Sequence, residues 1–514
     1  GTHCAMLLPW LILIPFIGGL LSWQAERIGS QVPRWVALLT MGLTLVISVQ
    51  LWLQGDYQLI SVDGAPRWTE FYFVPWIPAL GINIQFALDG MSLLMVVLTA
   101  ILGILAVLSS WSENQPSQGA FHFNLLWILA GVMGVFLATD LFLFFFFWEM
   151  MLIPMYFLIS LWGHKGSSDE KHVSAATKFF IYTQASGLLM LLAIIGLAVA
   201  FYSKTGIWTF NYDTLLQAHT LLGSELQFIL MLGFFAAFAV KMPIVPVHGW
   251  LADAHAEAPT AGSVDLSGIL LKTAAYGLLR FNLPLFPEAS ALLAPVAMWL
   301  GLITVFYAAL LAFRQTDIKR LAAYSSISHM GFIVIAIYAG SVLAYQGAII
   351  QMITNGLSAA GLFIMCGMLY ERLGTRDMNQ MGGLWKSIRF LPAFSLFFAV
   401  ASLGMPGTGN FVGEFMILFG TYGHFKLITI ISVFGLVFAS VYALWMMQQA
   451  YYGSPKTAER TYKGLNLREF LILFILVVLL VILGFFPQPV LDTSISAMEN
   501  LQTWYSASLS TVRL

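Results

Sequence analysis

The feature that most constrains this chain is a series of long apolar stretches separated by short polar loops. About 20 apolar residues in a helix cross the hydrocarbon core of a bilayer, so each stretch is a candidate membrane-spanning helix. We count fourteen, near residues 6–23, 35–53, 90–111, 121–139, 140–162, 175–202, 226–250, 263–282, 291–313, 321–340, 343–370, 390–421, 426–452 and 467–486. The sequence therefore predicts an all-α polytopic membrane protein of about 14 helices.

Composition and cysteine content exclude several functional classes. Only 9% of the 514 residues are charged, against about a quarter in soluble domains. The net charge of −1 gives no indication of a nucleic-acid partner. Two cysteines, Cys4 and Cys366, are too few and too far apart for an iron–sulfur cluster or a thiolate zinc site. We therefore expect neither a metal site nor a cofactor site on this chain.

Lysine and arginine are distributed unequally between the two sets of loops. One set contains 15 of them: Arg27, Arg34, Lys165, Lys171, Arg314, Lys319, Arg320, Arg372, Arg376, Lys386, Arg389, Lys456, Arg460, Lys463 and Arg468. The other set contains 5, namely Arg67, Lys204, Arg280, Lys426 and Arg513. Since cytoplasmic loops are rich in positive charge, we predict that the first loop is cytoplasmic and that both termini are periplasmic.

Three basic residues, Lys178, Lys241 and Lys272, lie inside predicted spans. A basic residue at a helix centre costs about 2.5–3.5 kcal/mol on insertion scales and usually has a function. Lys241 and Lys272 are therefore candidate functional residues. Lys178 lies near a helix start, where extension of the side chain to the membrane surface explains it equally well. Two acids, Glu149 and Glu414, are also deep within spans.

Two spans contain prolines that interrupt a helix. Pro243 and Pro246 follow Lys241 in "LMLGFFAAFAVKMPIVPVHGW", and Pro406 lies in "FFAVASLGMPGTGNFVGEFMIL". A proline has no N–H, so the carbonyls of Ala239 and Met242 are expected to lose their helical donors. Lipid cannot satisfy such groups, and the breaks must therefore face protein or water.

The breaks fall in spans seven and twelve, which predicts an internal repeat. They are five helices apart, and because five is odd the second repeat would be inverted, as in many secondary transporters. We assign residues 6–120 to helices 1–3, residues 121–282 to repeat one (helices 4–8) and residues 291–452 to repeat two (helices 9–13). Residues 453–514 would hold a loop, helix 14 and a tail. Residues 1–5, which precede Met6, are interpreted as an extension or a remnant of cloning.

Other motifs fit no known chemistry. "GTGNFVG" has the wrong spacing for a dinucleotide fingerprint, and no strand precedes it. His248, Asp253, His255 and Glu257 crowd one loop, but their spacing does not match a helical zinc site.

A line of titratable groups in the apolar interior remains: Glu149, Lys241, Lys272, His329 and Glu414. Burial favours the neutral forms of carboxyl and amine groups unless opposite charges are adjacent. If Glu149 and Lys241 are neighbours, each holds the other charged. Moving or protonating the glutamate would then release a proton from the lysine, which is a proton-transfer step.

Four segments resemble the antiporter-like proton-pumping subunits of respiratory complex I (bacterial NADH:quinone oxidoreductase). They are "FFFFWEMMLIPMYFLI", "KMPIVPVHGWLADAHAEAPTAGSVDLSGILLKTAAYGLLRF", "QTDIKRLAAYSSISHMGF" and "GMPGTGNFVGEFMILFG". The resemblance extends from Met6 to the C-terminus, and Glu414, where sister subunits usually carry lysine, is typical of the M type.

The resemblance implies fourteen helices, two inverted five-helix repeats (helices 4–8 and 9–13), and breaks in helices 7 and 12. The family's functional residues fall on Glu149, Lys241, Lys272, His329 and Glu414. The implied activity is proton translocation from cytoplasm to periplasm across the bacterial inner membrane. NADH, FMN, iron–sulfur clusters and quinone would bind to partner subunits. The implied partners are other membrane-arm subunits, including two sister antiporter-like subunits.

The chain departs from the family pattern at two positions. Ala252 replaces a proline in "WLADAH", and Asn355 replaces a helix-eleven histidine in "QMITNGLSAAG". Asn355, Lys178 and His248 are additional candidates for relaying protons or holding water.

Two other functions fit the same residues. In a multisubunit cation/proton antiporter, they would exchange Na⁺ or K⁺ for H⁺. In a non-transporting membrane scaffold, the buried charges would be dispensable.

The charge distribution predicts which loops can be labelled from outside the cell. Single cysteines at either terminus should react with a membrane-impermeant maleimide on intact cells. Cysteines at Lys386 or Lys463 should react only after the cells are opened, because these loops are predicted to be cytoplasmic. Labelling of the Lys386 site on intact cells would overturn the entire predicted topology.

Overall fold

A computed structural model describes residues 2–60, 67–113, 116–164, 171–455 and 461–512. Twenty α-helices run through these residues: α1 Thr2–Ala25, α2 Val32–Gln54, α3 Gly90–Ser109, α4 Gln118–Leu137, α5 Leu141–Trp162, α6 Lys171–Thr205, α7 Tyr212–Leu215, α8 Ser224–Lys241, α9 Leu251–Glu257, α10 Thr260–Asp265, α11 Leu271–Gly277, α12 Leu283–Leu285, α13 Pro287–Phe313, α14 Ile318–Tyr338, α15 Val342–Leu373, α16 Leu391–Ser402, α17 Gly409–Tyr422, α18 Lys426–Ala450, α19 Leu467–Phe485 and α20 Gln488–Thr511. The strands are β1 Glu70–Ile77 and β2 Ile82–Leu88. The predicted all-α membrane class is confirmed, with one added hairpin.

Twelve single helices among the described residues are long and apolar enough to cross a membrane. The other two predicted spans consist of shorter pieces. In the stretch 263–282, π-helical segments Leu266–Leu270 and Leu278–Asn282 separate the α-helical turns. The stretch 390–421 is divided between α16 and α17. The count of fourteen and the inverted repeats stay predictions.

A backbone hydrogen bond spans the break that follows Lys241. Helix α8 ends at Lys241, and the next helix begins at Leu251. The carbonyl of Ala239 has no helical donor because Pro243 lacks an N–H. The N–H of Ile244 donates to this carbonyl instead, at 2.9 Å. The loss of the helical donor follows the prediction, and a wider turn of the chain supplies a replacement donor from the backbone.

The second break separates α16 from α17. Helix α16 ends at Ser402, and α17 begins at Gly409. Gly404 and Gly407 have φ angles of +78° and +97°, which favour glycine because it has no Cβ. Pro406 lies between them, so this backbone cannot continue as a helix.

Two elements of the structure, a β-hairpin and a C-terminal helix, were not predicted from the sequence. Strands β1 and β2 form an antiparallel hairpin in which Glu70 pairs with Leu88. Residues 488–511, assigned to a tail, form helix α20, which packs against α3, α13 and α15. A Cβ added at Gly90 of α3 would overlap the carbonyl oxygen of Thr493, so this contact is close. A search for 20-residue apolar runs misses a short hairpin and a serine-rich helix.

Loops predicted to share one side of the membrane lie together. Arg34, in the first turn of α2, donates to the carbonyl of Trp111 at 2.5 Å, and Lys319 Nζ lies 3.0 Å from His164 Nε2. On the opposite face, Trp208 donates to the Leu80 carbonyl at 2.7 Å. The four basic residues Lys165, Lys456, Arg460 and Arg513 lie outside the described residues. The sidedness of the loops fits the charge distribution, and the absolute orientation stays a prediction.

Arg280 corrects one assignment, because it does not lie in an exposed loop. It is within the helical segment Leu278–Asn282 and is 1% exposed. Its Nη2 lies 2.6 Å from Asp89 Oδ1, and its Nε donates to the Tyr276 hydroxyl at 3.1 Å. A buried ion pair with further hydrogen bonds is typical of a structural role.

Removing one partner of this ion pair should destabilise the protein. Arg280→Met leaves the buried Asp89 carboxylate without its cation, a change that typically costs about 3–5 kcal/mol. We expect a lower thermal unfolding midpoint for the purified protein in detergent, and partial recovery in Arg280→Met/Asp89→Asn. Asp492→Asn, at an exposed position on α20, is the control. An unchanged midpoint in Arg280→Met would contradict the structural role.

Candidate functional site

The five titratable residues identified from the sequence lie on five different helices. Glu149 is on α5, Lys241 ends α8, Lys272 is on α11, His329 is on α14 and Glu414 is on α17. The last four are at most 5% exposed, and Glu149 is partly buried. All five are therefore held away from bulk water, where the free energy of a charged group depends on its immediate neighbours.

Lys241 contacts an aromatic ring. Its Nζ lies 4.2 Å from the centroid of the Trp148 ring, a cation–π contact that favours the charged amine. Within the described part of the chain, no hydrogen bond reaches this Nζ. Trp148 comes directly before Glu149, so α5 supplies both the ring and the acid.

Glu149 and Lys241 interact through space without a direct bond. The Glu149 carboxylate lies near the side chain of Gln184 of α6 and within electrostatic range of Lys241. Its Oε1 has no hydrogen-bond partner among the residues that the structure describes. The lysine therefore has a nearby acid that a small displacement would bring closer or move away.

Lys272 is bound by two neutral oxygens. Its Nζ donates to the Ser267 carbonyl at 2.5 Å and to Asn355 Oδ1 at 2.7 Å. Asn355, predicted to hold water, is therefore a direct partner of this lysine. Neutral acceptors solvate an ammonium group but do not fix its charge as a carboxylate would.

His329 lies near Lys272 with one ring nitrogen unbonded. The two residues are within electrostatic range of each other, and helices α11 and α14 are in contact. His329 Nε2 has no hydrogen-bond partner in the described ranges. A neutral imidazole nitrogen of this kind can accept a proton.

Glu414 packs against the break between α16 and α17. A Cβ added at Gly404 would overlap its carboxyl group. Its Oε1 is buried and has no hydrogen bond to any described residue. The absence of a side chain at Gly404 therefore makes room for the acid.

Lys178 and His248 do not join this buried line. The Lys178 side chain is 43% exposed, and its Nζ pairs with Asp253 Oδ2 at 3.0 Å. Arg320 binds the other oxygen of Asp253 at 2.7 Å. His248 packs edge-on against the ring of Tyr307, with the ring centroids 5.3 Å apart. The structure therefore places Lys178 in a partly exposed ion-pair network.

The sequence analysis identified Asn355 but missed three other uncharged polar residues, Gln351, Ser358 and Asn410. Gln351, Asn355 and Ser358 follow one another at helical spacing along α15, and Asn410 precedes Glu414 by one turn of α17. All four are buried. The i, i+4, i+7 spacing of polar residues within an apolar span places them on one face of a helix. This spacing could have identified them, but only charged groups and Asn355 had been considered.

Comparisons with known proteins agree with this arrangement. Residues 138–441 match the family described as NADH:quinone oxidoreductase/Mrp antiporter, transmembrane. The chain is 66% identical to NADH-quinone oxidoreductase subunit M of Escherichia coli (strain K12), over 99% of this chain and 100% of that protein.

Two solved structures have the same fold. A chain of respiratory complex I from Thermus thermophilus with bound NADH matches with a TM-score of 0.85 and 28% identity, covering 98% of this chain and 99% of that one. A chain of the Mrp complex from Dietzia sp. DQ12-45-1b matches with a TM-score of 0.83 and 20% identity, covering 99% and 100%. The protein therefore belongs to the family of transmembrane subunits shared by NADH:quinone oxidoreductase and the Mrp antiporters, in which it is a homologue of subunit M.

Proposed function

We propose that this protein is the proton-translocating M-type subunit in the membrane arm of a bacterial NADH:quinone oxidoreductase. It moves protons from the cytoplasm to the periplasm, with both of its termini in the periplasm. The observation that carries the proposal is the buried series Lys241, Lys272, His329 and Glu414, in which no member has a direct ion pair within the described residues.

Partner subunits supply the redox chemistry. NADH, FMN, iron–sulfur clusters and quinone bind there, and two sister antiporter-like subunits adjoin this one in the membrane arm. In the described ranges, no group of three or more histidine, cysteine or acidic residues is arranged to hold a metal ion. In this proposal, the chain couples a conformational or electrostatic signal to proton movement.

The first step depends on the distance between Glu149 and Lys241. When the carboxylate approaches, it stabilises the ammonium group above the Trp148 ring. When it moves away or is protonated, the buried ammonium loses that stabilisation and releases a proton. Gln184, which lies near the carboxylate, is the polar neighbour available to Glu149 when it is not in contact with Lys241.

The second step moves a proton through the Lys272 cluster, which consists of Lys272 and its neighbours Ser267, Asn355 and His329. The ammonium of Lys272 has only neutral acceptors, Ser267 and Asn355, as hydrogen-bond partners. It can lose a proton without breaking an ion pair. His329 Nε2 is the nearby base without a hydrogen bond in the described residues, and it takes part in passing that proton onward.

Glu414 ends the series at the second broken helix. Its carboxylate accepts the proton and becomes a neutral acid, the form that the apolar surroundings favour. A change in the break between α16 and α17, against which it packs, would expose the acid and let the proton leave toward the periplasm.

Glu149→Gln should nearly abolish proton translocation without preventing assembly. Glutamine is close to isosteric but carries no charge to stabilise the Lys241 ammonium. Lys241→Ala should behave similarly, because it leaves Glu149 without its cation. The measurement is the number of protons translocated per electron in vesicles containing the purified complex.

The matched control is Glu225→Gln, since Glu225 lies exposed in the first turn of α8, the helix that Lys241 ends. This change should leave pumping unchanged. Normal pumping by assembled Glu149→Gln would refute the proposed switch.

Purification separates this function from that of a cation/proton antiporter. The affinity-tagged chain should co-purify with flavin- and iron–sulfur-containing subunits, with NADH-dependent quinone reduction, and its pumping should not require Na⁺ or K⁺. Recovery in a complex without flavin and clusters, with activity that depends on Na⁺ or K⁺, would favour the antiporter instead.

A further inference from the structure

A row of buried uncharged polar side chains lies between the Lys272 cluster and Glu414. Gln351, Asn355 and Ser358 occupy one face of α15 at intervals of four and three residues. Helix α17 packs against α15 and presents Asn410 one turn before Glu414. Gln351, Ser358 and Asn410 are fully buried, although amides and hydroxyls are costly to bury without hydrogen bonds.

Hydrogen bonds connect this row to Lys272. Lys272 Nζ donates to Asn355 Oδ1 at 2.7 Å, and Ser358 Oγ donates to the Asn355 backbone carbonyl at 3.4 Å. Asn410 Nδ2 in turn donates to Ser358 Oγ at 3.3 Å. The contacts therefore run from Lys272 across α15 to α17 and end one helical turn from Glu414.

Four buried polar atoms at the end of this row have no hydrogen-bond partner in the described part of the chain. They are Gln351 Nε2, Gln351 Oε1, Asn410 Oδ1 and Glu414 Oε1. Gln351 Oε1 lies 2.5 Å from the position that a Cβ would occupy on Gly413, between Asn410 and Glu414 in sequence. One donor and three acceptors therefore lie along the stretch of α17 from Asn410 to Glu414.

We propose that Gln351, Asn410 and Glu414 form a binding site for water, and that this water delivers the proton to Glu414. Buried waters make two to four hydrogen bonds to polar groups of this kind. The inference rests on the proposed proton-translocating function, and it adds a position at which the proton crosses between helices. Asn410 and Gln351 are positioning residues here, and Ser358 holds Asn410.

The step is balanced in protons and charge. Carboxamides neither gain nor lose a proton near neutral pH, but they donate and accept hydrogen bonds. The water gives one proton to the Glu414 carboxylate and receives one that originates from the Lys272 ammonium. The products are a neutral carboxylic acid and a neutral amine, and the water is regenerated.

A second route to Glu414 is the competing explanation. The Tyr442 hydroxyl lies 3.0 Å from Ser325 Oγ and is within electrostatic range of Glu414. Ser325 precedes His329 by one turn of α14. A proton could therefore reach Glu414 along α14 and α18 without crossing α15.

Three variants of the intact complex separate the two routes. Asn410→Leu removes both hydrogen-bonding atoms at nearly the same volume. We expect proton translocation in vesicles to be about tenfold slower, which corresponds to about 1.4 kcal/mol of barrier. Asn410→Ser, which keeps a hydroxyl and leaves room for another water, should restore most of the rate. Tyr442→Phe, the matched control in the competing route, should pump normally.

An infrared measurement distinguishes a role of Asn410 in positioning the water from a role in packing alone. The carboxyl C=O stretch of protonated Glu414 can be assigned by infrared difference spectroscopy from its loss in Glu414→Gln. In Asn410→Leu this band should shift to higher wavenumber because the carboxyl loses a water neighbour. If Asn410→Leu does not assemble, the milder Gln351→Met variant is measured for the same shift and the same slower rate.

Two results would overturn the water site. One is normal pumping with an unshifted band in assembled Asn410→Leu, and the other is loss of pumping in Tyr442→Phe. Glu149→Gln, measured in parallel, tests the proposed function itself. Loss of pumping in Glu149→Gln together with normal pumping in Asn410→Leu would refute this inference alone. Normal pumping in Glu149→Gln would refute the function on which it rests.

Discussion

The structure depends on how each buried ionisable group is compensated by its neighbours in a largely apolar interior. Arg280 and Asp89 are joined at 2.6 Å, and Arg372 and Glu469 at 2.8 Å. In such pairs neither partner can change its charge without leaving the other uncompensated. They fix helices in place. Lys241 and Lys272 instead contact an aromatic ring and neutral oxygens. The same fold therefore contains buried charges fixed in ion pairs and, among the described residues, buried lysines that have no direct ion pair.

The two helix breaks supply the positions at which such free groups can exist. Lys241 ends α8, and Glu414 packs against the glycines that follow α16. A regular helix satisfies its own backbone and offers only side chains to a neighbour. A break adds carbonyls, N–H groups and space, all of which can rearrange with little cost to the helices on either side.

Much of this architecture follows from the sequence, but the partners of each charge do not. Apolar stretches located most of the long helices to within a few residues, since long spans have few alternatives in a bilayer, but α8 ends at Lys241 and not near residue 250. The prolines located both breaks. The hairpin β1–β2 and helix α20 were missed because they lack a 20-residue apolar run. Arg280 was misplaced because its partner Asp89 lies 191 residues away, and no local pattern reports such a contact. For the same reason, Asn355 could be identified as unusual but not as a ligand of Lys272.

The position of α14 and α15 in the fold explains why the polar groups are found there. In the apolar 18-residue segment of α15 every residue is buried. The buried share of the corresponding segment is 94% in α14 but only 28% in α19. Outer helices such as α19 expose large apolar side chains such as Phe474 and Ile475. A polar side chain on such a surface would face lipid, where its hydrogen bonds cannot be satisfied. A helix enclosed by other helices can carry glutamine, asparagine and histidine because every neighbour is protein. The proposed proton route therefore uses the enclosed helices α14 and α15, which lie in the chain between the first break and the second.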